Sequence, residues 1–282
     1  MKKFLALCRM VKIEHSIFAL PFAFTGTFLA AKGWPGFRVF LLLTIGMVAI
    51  RSFAMGFNRL ADLKIDAKNP RTQKRPLVTG EISIKETALF LTGTAIIFVL
   101  ACAGMNTLCL KLSPIALFVC AGYSYTKRFT YLCHYWLGAV LGLAPIAGWL
   151  AYDPTFTLSA ILFFFGVTFW VAGFDILYSC QDIAFDRANK LNSIPAHFGL
   201  ATALTLSSFS HIMTSIFFLL AGWAAQVGVW FYPVWAVVAL ILVFEHLLIS
   251  EDDMSRVNVA FFTLNGVISV IFFLGVLASI YY

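Results

Sequence analysis

The chain has 282 residues, of which 61% are hydrophobic and 12% charged, and its mean hydropathy is +0.90. A soluble domain is about 45–50% apolar and roughly 25% charged. A fold of this size cannot hide the excess, so a water-soluble globular protein, a disordered chain and a fibrous repeat are all excluded. The net charge of +7, from 20 basic and 13 acidic residues, speaks first of membrane topology, and no nucleic-acid partner is expected.

The opening MKKFLALCRMVK has a basic flank but no clear apolar core and no small-residue cleavage site. It reads as a cytoplasmic amphipathic lead-in rather than a removed signal peptide. Nine apolar stretches follow, over about 15–31, 39–62, 86–104, 107–125, 134–152, 157–181, 200–222, 228–249 and 258–281. A spanning helix needs about 20 apolar residues, and in lipid only a helix of this length satisfies its own backbone. The expected fold is therefore all-α: a polytopic membrane protein with about nine transmembrane helices, making one domain over residues 1–282. The six cysteines form no CxxC pair and mostly fall inside apolar stretches, where they serve as small apolar fillers.

The basic residues set the orientation. The N-terminus and the segments after the second, fourth, sixth and eighth stretches carry Lys2, Lys3, Arg9, Lys12, Lys64, Lys68, Arg71, Lys74, Arg75, Lys85, Lys127, Arg128, Arg187, Lys190 and Arg256. The opposite segments carry only Lys32, Arg38 and Lys111, and Arg51 and Arg59 lie inside the second stretch. This asymmetry places the N-terminus and those four loops in the cytoplasm, with the chain in the inner (cytoplasmic) membrane and, for nine spans, the C-terminus outside.

The two longest polar stretches, 63–85 and 182–199, both follow even-numbered spans and resemble each other. Asn58, Asp62 and Asp66 are spaced by four, as are Asp182 and Asp186; PLVTG (Pro76 to Gly80) and PAHFG (Pro195 to Gly199) then open the next spans. The pattern suggests two four-helix pseudo-repeats, about 15–125 and 134–249, plus a final helix.

A step of four drifts only about 40° on a helix, so Asn58, Asp62 and Asp66 are expected on one face. Oxygen-only ligands on one face suit a hard cation such as Mg²⁺, which usually completes its shell with phosphate oxygens. Asp175, Tyr178 and Asp182 fall at i, i+3 and i+7 on a second face, with Gln181 and Asp186 beside them. Two such faces suit Mg²⁺ and a diphosphate. The expected metal ligands are Asn58, Asp62, Asp66, Asp182 and Asp186, and the expected catalytic carboxylates are Asp62, Asp66, Asp182, Asp186 and Asp175. Lys64, Arg71, Arg75, Lys127 and Arg128 are the expected diphosphate-binding cations, in a basic neighbourhood that also holds Lys68, Lys74, Arg187 and Lys190. Tyr178 and Asn58 join them as substrate-binding residues.

Arg51 lies mid-span, about 10 Å along the helix from Asn58 and on its face. A buried Arg needs an anionic partner. Two readings stand open: an ion pair with Asp175 in the sixth span, or recognition of a substrate carboxylate or diphosphate oxygen. Most of the 30 Phe, 9 Tyr and 7 Trp are packing or lipid-facing residues, and a minority are available to line an apolar tunnel and to stabilise a carbocation. His134, His197, His211 and His246 show no metal-ligand spacing; His15 sits in the run EHSIFALPFAF. The run Glu251–Asp252–Asp253 reads as solvated surface.

These pieces, EHSIFALPFAF, RSFAMGFNRLADLKIDAKNPRTQKRPLVTG, YSYTKR and DILYSCQDIAFDRANKLNSIPAHFG, resemble the UbiA-type intramembrane aromatic prenyltransferases over nearly the whole length. The resemblance implies a nine-helix bundle with a central cavity and Mg²⁺-dependent cleavage of an isoprenoid diphosphate. Asn58, Asp62 and Asp66 match the family's first motif, Asp182 and Asp186 its second. Where relatives often carry a further acid before the last Asp, this chain has Ala184 and Phe185. Among branches the chain is similar to the 4-hydroxybenzoate polyprenyltransferases, some of which serve menaquinone synthesis by the futalosine route. The implied activity is transfer of a polyprenyl group from polyprenyl diphosphate to a ring carbon of an aromatic acid in ubiquinone or menaquinone biosynthesis. A membrane transporter, with its own repeats and buried charges, and a haem O synthase are the alternatives.

Overall fold

A computed structural model of the chain, described over residues 2–12 and 16–282, is helical throughout its described regular elements. The helices are α1 (Lys2–Val11), α2 (Ser16–Ala31), α3 (Phe37–Ala61), α4 (Leu63–Asp66), α5 (Ile84–Met105), α6 (Thr107–Thr126), α7 (Cys133–Tyr152), α8 (Leu158–Ser179), α9 (Ile183–Ala188), α10 (Ile194–Phe198), α11 (Leu200–Ala224), α12 (Phe231–Leu247) and α13 (Asn265–Tyr281). Over the described residues, each of the nine apolar stretches is mostly helical. Among the described residues, seven helical segments are long and apolar enough to cross a bilayer, while Ala19–Ala31 and Phe231–Leu247 are shorter. The protein is a multi-span membrane protein.

The chain divides into two compact units, Met1–Ser16 with Gly36–Tyr125, and Ile17–Pro35 with Thr126–Tyr282. In the first, α3 packs on α5, and α5 begins with a reciprocal cap in which the Ser83 hydroxyl accepts from the Glu86 backbone while Glu86 accepts from the Ser83 backbone. That box satisfies two of the donors every helix start leaves unpaired. Helix α1 is amphipathic. Ala6, Met10 and Val11 are buried with Leu77 and Ile82, while Phe4 and Leu5 are exposed. Its buried face holds it, and the exposed ion pairs Lys3–Glu86 and Arg9–Glu81 add little.

In the second unit α8 is the central helix, packed between α7 and α11. Its buried Phe163, Val167, Trp170, Val171 and Phe174 join Phe22, Phe218, Phe231 and Phe272 in one core. The first span therefore packs here, although it is covalently next to α3. The approach of α2 to α7 explains the placement. A Cβ on Gly148 would lie 1.8 Å from the Ala23 carbonyl oxygen, one on Gly26 would lie 2.0 Å from that of Pro145, and the Thr27 hydroxyl donates to the Gly148 carbonyl at 2.7 Å. Membrane helices associate through such small-residue contacts because lipid provides little hydrophobic drive between them. Gly148→Ala is expected to destabilise by about 1–3 kcal/mol, the usual cost of overpacking, which a melting curve in detergent reads as a lower Tm. An unchanged Tm would contradict the close crossing.

None of the six cysteines is in a disulfide, and Cys102, Cys109, Cys120 and Cys180 are buried. Glu251, Asp252 and Asp253 are exposed, and hydrogen bonds from the Ser255 hydroxyl and backbone N–H hold the Asp253 carboxyl below its ordinary range.

Candidate active site

The first acidic motif lies where α3 stops. Asp62 takes φ −95° and ψ 5°, the sparsely populated bridge between the main wells where many active-site residues sit, and the chain resumes as the single turn α4. The single helical face expected for Asn58, Asp62 and Asp66 is thus interrupted at Asp62. The step of four survives the break. The Asp62 N–H donates to the Asn58 carbonyl at 2.9 Å, and the Asp66 N–H to the Asp62 carbonyl at 2.8 Å.

Both carboxylates are almost fully buried, Asp62 at 2% and Asp66 at 5% exposure, so they need countercharge. The loop after α4 supplies it by curling back. Asn69 accepts the Arg71 N–H on its side chain at 2.9 Å, Thr72 donates its hydroxyl to the Asp66 carbonyl at 3.0 Å, and Arg75 reaches Asp66 Oδ2 at 2.5 Å. Asn58 donates through Nδ2 to Asp62 Oδ2 at 3.1 Å and accepts on Oδ1 from Arg59 at 3.0 Å. Tyr123 of α6 has Arg51, Arg59, Cys120 and Asp62 as its charged or polar neighbours. Arg51, half-buried in mid-α3, has an enclosed Nε with no hydrogen-bond partner. Lys64 and Arg71 are exposed.

The second motif repeats the break. Helix α8 ends at Ser179, a 3₁₀ turn runs Cys180–Asp182, and α9 follows. Asp182, at φ −104° and ψ 6°, has nearly the backbone of Asp62. Asp186 accepts the Ser193 hydroxyl at 2.7 Å and has Asp182, Lys127 and His134 as titratable neighbours. Both loops also end on a glycine of positive φ, Gly80 at 76° and Gly199 at 86°. Nothing lies within 4 Å of a Cβ at either, so backbone conformation alone asks for glycine.

Asp175 is held by His134, Nδ1 to Oδ2 at 2.7 Å, while His134 Nε2 accepts the Ile194 N–H at 3.2 Å. A backbone donor at Nε2 leaves the ring proton on Nδ1, where it is donated to Asp175. Tyr178 stacks on Phe261, ring centroids 4.0 Å apart. The Lys127 carbonyl accepts the Asn192 N–H at 2.7 Å, tying the segment that carries Lys127 and the half-buried Arg128 to the one after α9. His15 lies outside the described residues.

The structure thus brings Asn58, Asp62, Asp66 and Arg75 together in the first unit, and in the second makes Asp182 and Lys127 charged neighbours of Asp186. Arg59, Tyr123 and His134 were not among the residues singled out from sequence. Arg59 and Tyr123 carried a signal: an arginine beside Asn58 in an apolar span, and a tyrosine in YSYTKR. The His134–Asp175 contact joins positions 41 apart and has no local signature.

Residues 19–267 match the UbiA prenyltransferase family. The chain belongs to that family. It is a membrane prenyltransferase, and the transporter reading falls. It is 30% identical over 278 residues to the 4-hydroxybenzoate octaprenyltransferase of Nitrosomonas europaea, covering 95% of this chain and 92% of that one. The prenyltransferase is also similar to the apo structure of a UbiA homolog from Aeropyrum pernix, with a TM-score of 0.86 and 34% identity, covering 94% of this chain and 98% of that chain. It shares the fold of a UbiA homolog from Archaeoglobus fulgidus bound to GPP and Mg²⁺, with a TM-score of 0.72 at 20% identity, covering 98% of this chain and 100% of that one.

Proposed function

We propose that this prenyltransferase moves a polyprenyl group from polyprenyl diphosphate to a ring carbon of an aromatic acid, 4-hydroxybenzoate or a related acceptor, in quinone biosynthesis, using Mg²⁺. The observation that carries the reading is the repeated geometry at Asp62 and Asp182. Each motif has its first Asp in nearly the same non-helical backbone conformation just past a long helix and sets a second carboxylate four residues on; Arg75 pairs with Asp66, and Lys127 is a charged neighbour of Asp186. The name of the Nitrosomonas relative and the GPP and Mg²⁺ bound by the Archaeoglobus homolog support the same donor class and metal.

The residues fit the metal. Among the described residues no group of three or more His, Cys, Asp or Glu side chains is placed to hold a metal ion by itself. Each motif instead offers carboxylate oxygens, Asp62 and Asp66 or Asp182 and Asp186, as suits an ion that takes the rest of its shell from phosphate and water. Mg²⁺ bound there would neutralise the diphosphate as it leaves. Asn58, its oxygen held by Arg59 and its nitrogen on Asp62, would orient Asp62 rather than reach the ion itself. Arg75 and Lys127, with Lys64, Arg71 and Arg128, would hold the diphosphate.

The allylic C–O bond breaks with its electron pair leaving on the diphosphate. The ring carbon ortho to the hydroxyl forms the new C–C bond, and the ring proton is lost. Apolar helix faces keep water from the allylic cation. Arg51 would hold the acceptor's carboxylate, consistent with an enclosed Nε that has no partner. The basic asymmetry supports the inner membrane, a cytoplasmic N-terminus and acidic motifs on the cytoplasmic side.

Purified protein in lipid nanodiscs, supplied with polyprenyl diphosphate and 4-hydroxybenzoate, is expected to release diphosphate and form prenylated acid with Mg²⁺ and to do neither with EDTA. Equal turnover in EDTA would reject the metal, and failure of every aromatic acid tried would reject the acceptor class.

A further inference from the structure

Arg59 sits on the last turn of α3 at 7% exposure, and its donors are spent in two directions. Nε donates to the Met10 carbonyl at 3.3 Å, and Nη1 donates to Asn58 Oδ1 at 3.0 Å. Met10 lies in the last turn of α1, where carbonyls have no partner within the helix. A guanidinium only donates and a carboxylate only accepts. The Asn58 amide between them therefore has one chemically sensible orientation, with oxygen to Arg59 and nitrogen to Asp62 Oδ2 at 3.1 Å. The result is a directed chain from the Met10 carbonyl through Arg59 and Asn58 to the Asp62 carboxylate. Its far end is anchored, because Ala6, Met10 and Val11 are buried against Leu77 and Ile82 and hold α1 in place.

We infer that Arg59 is a positioning residue for the Asp62 carboxylate, acting through Asn58, and that α1 is the support that holds Arg59 in register. This rests on the reading of Asp62 as part of a metal–diphosphate site. Lys cannot replace Arg59, since one ammonium on a flexible stem does not reproduce the planar fork that reaches both the Met10 carbonyl and the Asn58 oxygen.

The test uses full-length protein in nanodiscs, with Mn²⁺ as a spectroscopic stand-in for Mg²⁺. Mn²⁺ binding in the presence of inorganic diphosphate is followed by electron paramagnetic resonance, beside a melting curve. Removing partners that orient metal ligands costs about 10–100-fold in metal affinity. Arg59→Gln and Arg59→Lys are each expected to weaken Mn²⁺ binding at least tenfold, and Asn58→Ala to do the same. The Arg59→Gln/Asn58→Ala double variant is expected to be no weaker than the weaker single, because both act along one chain. Ala6→Glu, which puts a charge under α1, is expected to weaken binding in wild type and to add nothing to Arg59→Gln. Losses that add in the double variant, an Arg59→Lys that binds like wild type, or a fall in Tm without a change in Mn²⁺ affinity would each overturn the positioning role. If wild-type protein binds no Mn²⁺ with diphosphate, the metal–diphosphate reading itself fails and this inference falls with it.

Discussion

Asp62→Ala and Asp182→Ala are each expected to abolish turnover while the protein stays inserted and folded. Asp62 is nearly buried in the first unit, and Asp182 occupies the matching backbone break in the second. Each would meet the metal or the departing diphosphate at the moment charge develops on it. Removing one group that stabilises such developing charge typically costs about 10²–10³-fold in rate, and losing an acceptor that also holds the metal adds to this. Product formation at saturating Mg²⁺, measured beside a melting curve, checks both variants. Near-normal activity in either would show that its motif does not serve the reaction.

Much of this fold could be read from the chain because lipid leaves few choices. A run of about 20 apolar residues with no water to bond its backbone must be helical, and the observed Cys133–Tyr152 and Leu200–Ala224 fall within two residues of the apolar limits. The acidic motifs were legible for a related reason. A carboxylate in or beside a span is costly, so Asp62, Asp66, Asp182 and Asp186 stood out against an apolar background. Side-chain direction and long-range pairing were not legible. Periodicity placed Asn58, Asp62 and Asp66 on one face, but could not show that α3 stops at Ala61 or that Asn58 turns its oxygen to Arg59. The packing of residues 17–35 within the second unit depends on Gly26 and Gly148 meeting facing backbone, and a glycine in an apolar run announces no partner. Arg51 had two open readings, an ion pair with Asp175 or a substrate anion, and the described partner of Asp175 is His134.

Arg51→Lys is expected to raise the KM for the aromatic acid well over tenfold and to move the KM for the prenyl diphosphate little. Arg51 lies about two helical turns from Asn58 along α3, away from the layer of Asp62 and Asp66, and its enclosed Nε has no partner in the protein. Its neighbours Tyr123 and Cys120 bring no carboxylate. An Arg holds a carboxylate through two parallel hydrogen bonds that Lys cannot copy. Breaking a buried charged pair costs about 2–5 kcal/mol, and about 1.4 kcal/mol is already tenfold. A purely structural Arg51 would instead lower Tm and disturb both constants alike. The two KM values, measured on the solubilised variant with a melting curve beside them, separate the outcomes, and an unchanged acceptor KM would reject the carboxylate-binding role.

The central claim is that a prenyl cation released at the acidic motifs is captured by a ring carbon of an aromatic acid. Mass spectrometry of the product from 4-hydroxybenzoate deuterated at both positions ortho to its hydroxyl tests this most directly, with wild-type protein in nanodiscs and Mg²⁺. Carbon–carbon bond formation predicts a singly prenylated acid that has lost one deuterium and kept the other, with one diphosphate released per product. A prenylated product retaining both deuterons would place the new bond on oxygen and contradict the account.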